Sequence, residues 1–505
     1  MTFDLMNPGQ LMQALGPDLI LMAGAMVAML VAAWKAESDA HQRTVGYLSL
    51  GVIGASLVAV LVYASAGAKA SAGVIAVDGF RWAADVVFLL GAALTILLSI
   101  ESNPRDRIVA PESHVLVLFA TSGMMIMAAA RDLMIVFLGV EMMSIAVYVL
   151  AGLNRGSVRS AEGALKYFLL GAFSTGFLLY GIALVYGATG STDIVVIGQR
   201  IVQYSLTGHS MLLIGVGLLL VGFAFKVAAV PFHMWAPDVY EGAPTPITAY
   251  MAAAVKAAAF TMILRVWIEA FNLLDRAWMA PLWWIAAATM LVGNVVALSQ
   301  RNVKRLLAYS SIVHGGYLLV AVAAGTALGS AAFLFYGIAY TLATFGAFAV
   351  VTAMTRPGDH ATRISDYDGL WTTRPWLAVG FAVCMLALLG FPVFGGAGFF
   401  AKWYVLQAAI TSPLGLVPLA VVLVLTSVVS AGYYLNVVRV MFMRPRPEGA
   451  VEPAPLAPLT RFVLVTCVGL TLVLGLFPDR LASWARTHAA VVPSVSAVSA
   501  ARPAP

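Results

Sequence analysis

Apolar runs close to twenty residues long recur along the whole 505-residue chain, separated by short charged or proline-rich breaks. About twenty helical residues span a hydrocarbon layer of roughly 30 Å, so each run predicts one membrane crossing. The runs fall near 15–34, 44–66, 83–100, 114–130, 132–153, 162–187, 210–230, 247–268, 281–299, 306–325, 328–354, 376–410, 415–442 and 460–478. The expected fold is an all-α polytopic membrane protein of about fourteen transmembrane helices. Two runs carry breaks. The 35 residues of 376–410 would reach about 52 Å as one straight helix. Inside them, Gly390-Phe391-Pro392-Val393-Phe394-Gly395-Gly396-Ala397-Gly398 joins a residue that lacks a backbone donor to four glycines. A second break follows Lys226, where Pro231 is succeeded by Pro237, Pro244 and Pro246.

Composition agrees with a lipid solvent. Hydrophobic residues make up 61% of the chain and charged residues 10%, against about 25% charged in soluble domains. No basic segment and small-residue cleavage site open the sequence, so the first run, Leu15 to Trp34, is expected to be retained as a helix. Lysine and arginine are unevenly divided between the two sets of connecting segments. Sixteen, among them Lys35, Arg43, Arg155 and Arg159, fall on one side and eight on the other. Basic residues are retained on the cytoplasmic side, so this bias predicts both termini outside. It also accounts for the net charge of +6 without nucleic acid. Cys384 and Cys467 lie far apart in apolar runs, which leaves neither a disulfide framework nor a cysteine-ligated cluster. His114, His233 and His314 occupy different segments, and no phosphate loop or dinucleotide fingerprint is present. No cofactor is expected in this chain.

Charge inside an apolar run costs at least about 2.5–3.5 kcal/mol at the bilayer centre, and it usually marks an ion path or an internal pair. Lys226, Lys256 and Lys402 sit deep in apolar runs and are the first candidates. Lys166 has an ordinary alternative, because Glu162 stands four residues earlier on the same predicted helix. Arg265 lies near a span end, where it is expected to snorkel. Glu141 is an acidic residue in the middle of a run and needs a partner or a proton. Asp85 lies closer to the end of its run. His233 follows Lys226 at i+7 with Pro231 between them, so a shared helical face is not assured. His233 and His314 each also fit the role of a satisfied structural histidine.

The stretch Val230-Pro231-Phe232-His233-Met234-Trp235-Ala236-Pro237-Asp238-Val239-Tyr240-Glu241-Gly242-Ala243-Pro244-Thr245-Pro246 resembles the signature of the antiporter-like membrane subunits of the proton-pumping NADH:quinone oxidoreductase, respiratory complex I. Its form is that of the subunit N family. The L and M types typically carry Leu-Pro-x-Ala-His after that tryptophan, where this chain has Ala236-Pro237-Asp238-Val239-Tyr240. The short tail after residue 478 also argues against the L type. The resemblance covers nearly the whole chain and implies two inverted five-helix repeats, 113–272 and 273–445, each containing a broken helix. They are flanked by a three-helix segment, 1–112, and by a C-terminal helix and tail, 446–505. By the same resemblance Glu141 and Lys226 form an internal pair, Lys256 is the central relay and Lys402 the exit-side lysine. Lys166 and His233 support transfer, and His314 is a further candidate relay. The implied activity is proton translocation by a non-redox subunit of this translocase, coupled to quinone reduction elsewhere. NADH, FMN, iron–sulfur clusters and quinone then belong to the assembled complex. The implied neighbours are subunits of the M and K types, the lateral helix of an L type, and lipid of the bacterial inner membrane. Two other readings share these residues: a subunit of a multi-subunit sodium/proton antiporter, and a structural spacer between pumping subunits.

Overall fold

The computed structural model describes residues 1–35, 37–70, 73–355, 363–393, 396–447 and 455–489. Among these residues twelve helices are long and apolar enough to cross a membrane. They are Gly16–Trp34, Asp39–Ser65, Gly79–Arg105, Glu112–Ala129, Leu133–Ala151, Val158–Thr189, Thr245–Ala270, Ala277–Leu298, Val303–Ala323, Ala327–Met354, Val417–Met443 and Pro458–Leu476. The two remaining expected crossings are each in two pieces. Ser210–Lys226 is followed by Ala236–Gly242, and Pro375–Leu389 by Gly396–Thr411. Short polar residues mark several helix starts, as capping requires. Asp132 accepts from Met134 N, Ser157 from Ser160 N, Thr326 from Gly329 N, and Asn302 from both Lys304 N and Arg305 N.

Both breaks follow from local chemistry. Backbone groups freed at membrane depth must find partners inside the protein or in a watery cavity. After Lys226 the chain leaves the helix through Ala228 at φ 56°. Trp235 Nε1 donates to Phe225 O at 3.2 Å, and Val230 N donates to Thr289 Oγ1 at 2.9 Å. The second break begins at Gly390, φ 80°. Its returning half-helix crosses the first so closely that a Cβ on Gly398 would stand 1.7 Å from Ala387 O, so only glycine fits there. Phe394 and Gly395, also part of the expected break, lie outside the described residues.

The bundle has an inner and an outer set of helices. Thr245–Ala270, Val303–Ala323 and Ala327–Met354 are buried along almost their whole length. Gly16–Trp34, Val417–Met443 and Pro458–Leu476 leave most of their apolar surface outward, as lipid-facing helices do. A matching pair of connections ties helix starts to distant loops. Asp132 bridges Asp193, with Ile194 N donating to Arg131 O at 2.9 Å; Asn302 bridges Arg363, with Ile364 N donating to Arg301 O at 2.9 Å. The first lies just past the C-terminus of Val158–Thr189, where Thr192 bonds Asp132. The second adjoins that helix's N-terminus, through Asn302 to Glu241 at 3.2 Å and Glu241 to Arg159 at 3.9 Å. Thirty-two helical residues, about 48 Å, separate the two ends. Smaller elements not anticipated from the apolar runs are the short helices Ile194–Gln203 and Pro478–Thr487, and a π-turn, Met251–Val255, immediately before Lys256.

Candidate functional site

Lys226 closes the half-helix Ser210–Lys226, where its cation meets the negative end of the helix dipole. Its ammonium is buried. It donates to Ser144 Oγ at 2.8 Å and to Tyr148 Oη at 3.3 Å, and lies 5.7 Å from the Tyr148 ring centroid. Ser144 and Tyr148 are one helical turn apart on Leu133–Ala151. Glu141 is on the same helix, one turn before Ser144, and its Oε1 is buried without a hydrogen-bond partner among the described residues. The expected Glu141–Lys226 pair is therefore indirect. Ser144 takes the ammonium, and the carboxylate acts on it through space.

Lys256 begins the regular part of its helix, immediately after the π-turn. Its ammonium donates to Ser311 O and Ser311 Oγ, both at 2.5 Å. Val303–Ala323 thereby receives the central lysine, and it carries a polar stripe onward. Ser310, His314 and Tyr317 follow at i, i+4 and i+7, one face of a helix. His314 Nδ1 meets Tyr336 Oη at 2.5 Å, its Nε2 meets Tyr434 Oη at 3.1 Å, and Tyr434 Oη also bonds Ser310. A neutral imidazole between two phenols donates through one nitrogen and accepts through the other, so a proton can enter and leave on opposite sides of the ring. Lys402 reaches back across the second break to Leu389 O at 2.7 Å, and its ammonium lies 4.8 Å from the Tyr317 ring centroid. That carbonyl belongs to the C-terminus of Pro375–Leu389, so this break too joins a lysine to a half-helix C-terminus. Tyr317 is interposed between His314, at 5.7 Å between rings, and Lys402. On the other side, a Cβ on Gly315 would stand 3.3 Å from Val227 O and 3.8 Å from Lys256 Nζ. The segment leaving Lys226 and the Lys256 ammonium thus face the same spot.

The other candidates are arranged differently. Lys166 is 42% exposed and held by Glu162 at 2.6 Å and Asp238 at 2.9 Å. Its ordinary pairing with Glu162 is present, extended to the Asp238 of the proline-rich stretch. Arg305 binds the same Asp238 at 2.7 Å and Glu241 at 3.1 Å, which makes one ionic cluster at this end of the bundle. His233 lies half-buried in the first break, its Nδ1 without a hydrogen-bond partner and its ring outside the Lys226 contacts. Arg265 does not snorkel. It is buried and bound to Asp78 at 2.9 Å and Glu269 at 2.9 Å, because both carboxylates reach it within the bundle. Burial works to raise the Asp78 carboxyl, but the Arg265 charge and hydrogen bonds prevail and hold it down at about 2. The hydroxyl partners Ser144, Tyr148, Ser311, Tyr336 and Tyr434 were not singled out from the sequence, and neither were Asp18 and Arg81.

The comparisons with known proteins follow the same lines. Residues 130–443 match the family described as NADH:quinone oxidoreductase/Mrp antiporter, transmembrane. The chain is 50% identical to NADH-quinone oxidoreductase subunit N of Gemmatimonas aurantiaca over 495 residues, covering 96% of this chain and 94% of that one. It is 43% identical to the subunit of the same name from Trichlorobacter lovleyi over 489 residues, covering 95% and 98%. Among solved structures it superimposes on a chain of respiratory complex I from Thermus thermophilus with bound aureothin. That match has a TM-score of 0.77 at 36% identity, covering 92% of this chain and 98% of that one. A chain of the Mrp complex from Dietzia sp. DQ12-45-1b shares the fold, with a TM-score of 0.82 at 21% identity and coverage of 96% and 99%. With the interrupted helices, the buried lysines and these relatives together, the chain belongs to the NADH-quinone oxidoreductase subunit N family of antiporter-like, proton-translocating membrane subunits.

Proposed function

We propose that protons cross this subunit along the buried polar lane that runs from Lys226 through Lys256, Ser311 and His314 to Lys402, driven by quinone reduction elsewhere in the complex. The observation that carries this reading is the helix Val303–Ala323. It binds Lys256 through Ser311, holds His314 between two tyrosine hydroxyls, and sets Tyr317 under Lys402. Among the described residues each lysine nitrogen is held by hydrogen bonds and has no carboxylate within ion-pair distance, and such a group can change protonation without leaving a strong ion pair. Glu141 biases Lys226 through space. Lys166, tied to the Asp238–Arg305 cluster, and His233, within the first break, support the transfer.

Two inverted repeats, 113–272 and 273–445, organise the lane. The matched bridges Asp132–Asp193 and Asn302–Arg363, each at the start of the second helix of its repeat and at opposite ends of the bundle, support this division. So does the position of each broken helix, fourth in its repeat. The subunit lies in the bacterial inner membrane with the exposed Arg155 and Arg159 on the cytoplasmic side and both termini periplasmic. It has no redox group of its own, and works beside subunits of the M and K types and under the lateral helix of an L type. NADH, FMN, iron–sulfur clusters and quinone act in other subunits.

The test is His314→Phe in the assembled complex, which keeps an aromatic ring and removes both nitrogens. Proton pumping by vesicles should fall with subunit content unchanged. Wild-type pumping would refute passage through the imidazole. Co-purification with NADH-oxidising subunits separates this role from that of a free-standing sodium/proton antiporter.

A further inference from the structure

A second buried charge site lies outside the lane, where Gly16–Trp34 meets the start of Gly79–Arg105. Arg81 is fully buried and bonds Asp18 directly, and it donates to Ala76 O at 3.0 Å and Ala14 O at 3.5 Å. Asp85, also fully buried, is 3.7 Å from Arg81 Nε without a hydrogen bond. Both Asp85 oxygens and Asp18 Oδ1 have no hydrogen-bond partner among the described residues.

The surrounding charges leave this site one cation short. Arg265 is engaged by Asp78 and Glu269, and Arg131 reaches Glu269 at 3.4 Å. Arg81, Arg131 and Arg265 thus face Asp18, Asp78, Asp85 and Glu269 among the described residues. The other elements packed on Gly79–Arg105 do not correct the balance: Asp39–Ser65 sets Tyr63 on Trp82 and its Asp39, His41 and Arg43 at the far end, Pro458–Leu476 has Arg461 near Glu101, and the Lys256 ammonium is engaged by Ser311. Ala327–Met354 carries no charged residue. His114 stands with Ile100, about 22 Å along the helix from Asp85. His488 lies against Gly79, beside Asp78 rather than Asp85. An unpaired buried carboxylate is strongly disfavoured in its charged form, and two carboxylates sharing one site do not both ionise.

We infer that Asp18 and Asp85 share one proton around Arg81, forming a proton-binding site separate from the lysine lane. Gly91, six residues after Asp85 and so about 9 Å along the helix, packs against Ala254, two residues before Lys256. The carboxyl pair therefore lies beside the helix that carries Lys256, towards its Arg265 end. This inference does not rest on the lane's role in pumping, because the shared proton is present whether or not the lysines conduct.

Infrared spectra of the assembled complex in ordinary and heavy water test it. Asp85→Asn, the neutral isostere of the protonated acid, should accumulate at the wild-type amount and lose one protonated-carboxyl C=O band. Asp18→Asn should lose the same band, because Asp85 then ionises against Arg81. The double variant Asp18→Asn/Asp85→Asn leaves Arg81 buried without a counter-ion and should fail to accumulate. Retention of the band in both single variants, failure of Asp85→Asn to accumulate, or normal accumulation of the double variant would each overturn the inference.

Discussion

Glu141→Gln removes a charge from the surroundings of Lys226 while keeping the side chain's shape, and its effect can be sized from the geometry. Glu141 and Ser144 are three residues apart on one helix, with Cβ atoms about 5–6 Å apart, and Ser144 Oγ holds the ammonium at 2.8 Å. The two charges are then about 7 Å apart, and at an effective dielectric near 20 the carboxylate favours the charged lysine by about 2.4 kcal/mol. That energy corresponds to roughly fiftyfold in the ratio of ammonium to amine. Glu141→Asp draws the charge back by about 1.5 Å and forfeits only about 0.4 kcal/mol, roughly a factor of two. The expected order is wild type, then Asp slightly slower, then Gln slower by more than tenfold, with assembly unchanged. NADH-driven quinone reduction and proton uptake by vesicles, normalised to subunit content, measure it. Equal rates for the Asp and Gln variants, or wild-type turnover in Glu141→Gln, would refute a through-space bias on Lys226.

Other expectations follow from single contacts. Lys256→Arg should assemble, since six buried alanines flank the site and Gly315 opposes it without a side chain. It should nevertheless abolish coupled turnover, because arginine releases a proton at neutral pH roughly five to seven orders of magnitude less readily than a group titrating there; normal coupling would remove this side chain from the path. Gly398→Ala places a methyl 1.7 Å from Ala387 O, so the second half-helix must shift and Lys402 lose Leu389 O. Its cost of about 1–3 kcal/mol or more should appear as a lower thermal midpoint of the complex and reduced subunit content. Glu101 caps Pro458–Leu476 from another helix, accepting from Leu459 N at 2.8 Å, Thr460 N at 2.7 Å and Thr460 Oγ1 at 2.9 Å. Glu101→Gln keeps one acceptor oxygen and should destabilise that helix by about 1–2 kcal/mol, read as increased proteolysis near residue 458 with turnover retained.

The parts of this protein that could be read from residues alone are those where lipid makes a residue costly. The prolines from Pro231 onward and the Gly390–Gly398 cluster concentrate helix-breaking residues, and both breaks stand where those residues are. Lys226, Lys256 and Lys402 stand out because an apolar run tolerates them only with a purpose. Their partners were not legible. Ser144 also bonds Val140 O on its own helix at 2.5 Å, the ordinary habit of a helical serine, and nothing in its sequence context distinguishes it from the many serines that do only that. Ser311, Tyr336 and Tyr434 acquire their meaning from helices that meet only in the folded bundle. Arg265 departs from its expected place for the same reason. Proximity to a span end pointed to the interface, whereas Asp78, 187 residues away, holds it inside. Arg81 lies two residues before the third apolar run as delimited, so it was read as part of a connection, although its helix starts at Gly79.

Passage of protons through this chain's own lysines can be measured. The most direct measurement is the number of protons pumped per NADH oxidised by vesicles holding the assembled complex, with Lys226, Lys256 and Lys402 all replaced by Met, at matched subunit content. Fewer protons per NADH than in the wild type are expected at every oxidation rate. An unchanged ratio, at whatever rate, would contradict this expectation and leave the buried lysines a structural role only.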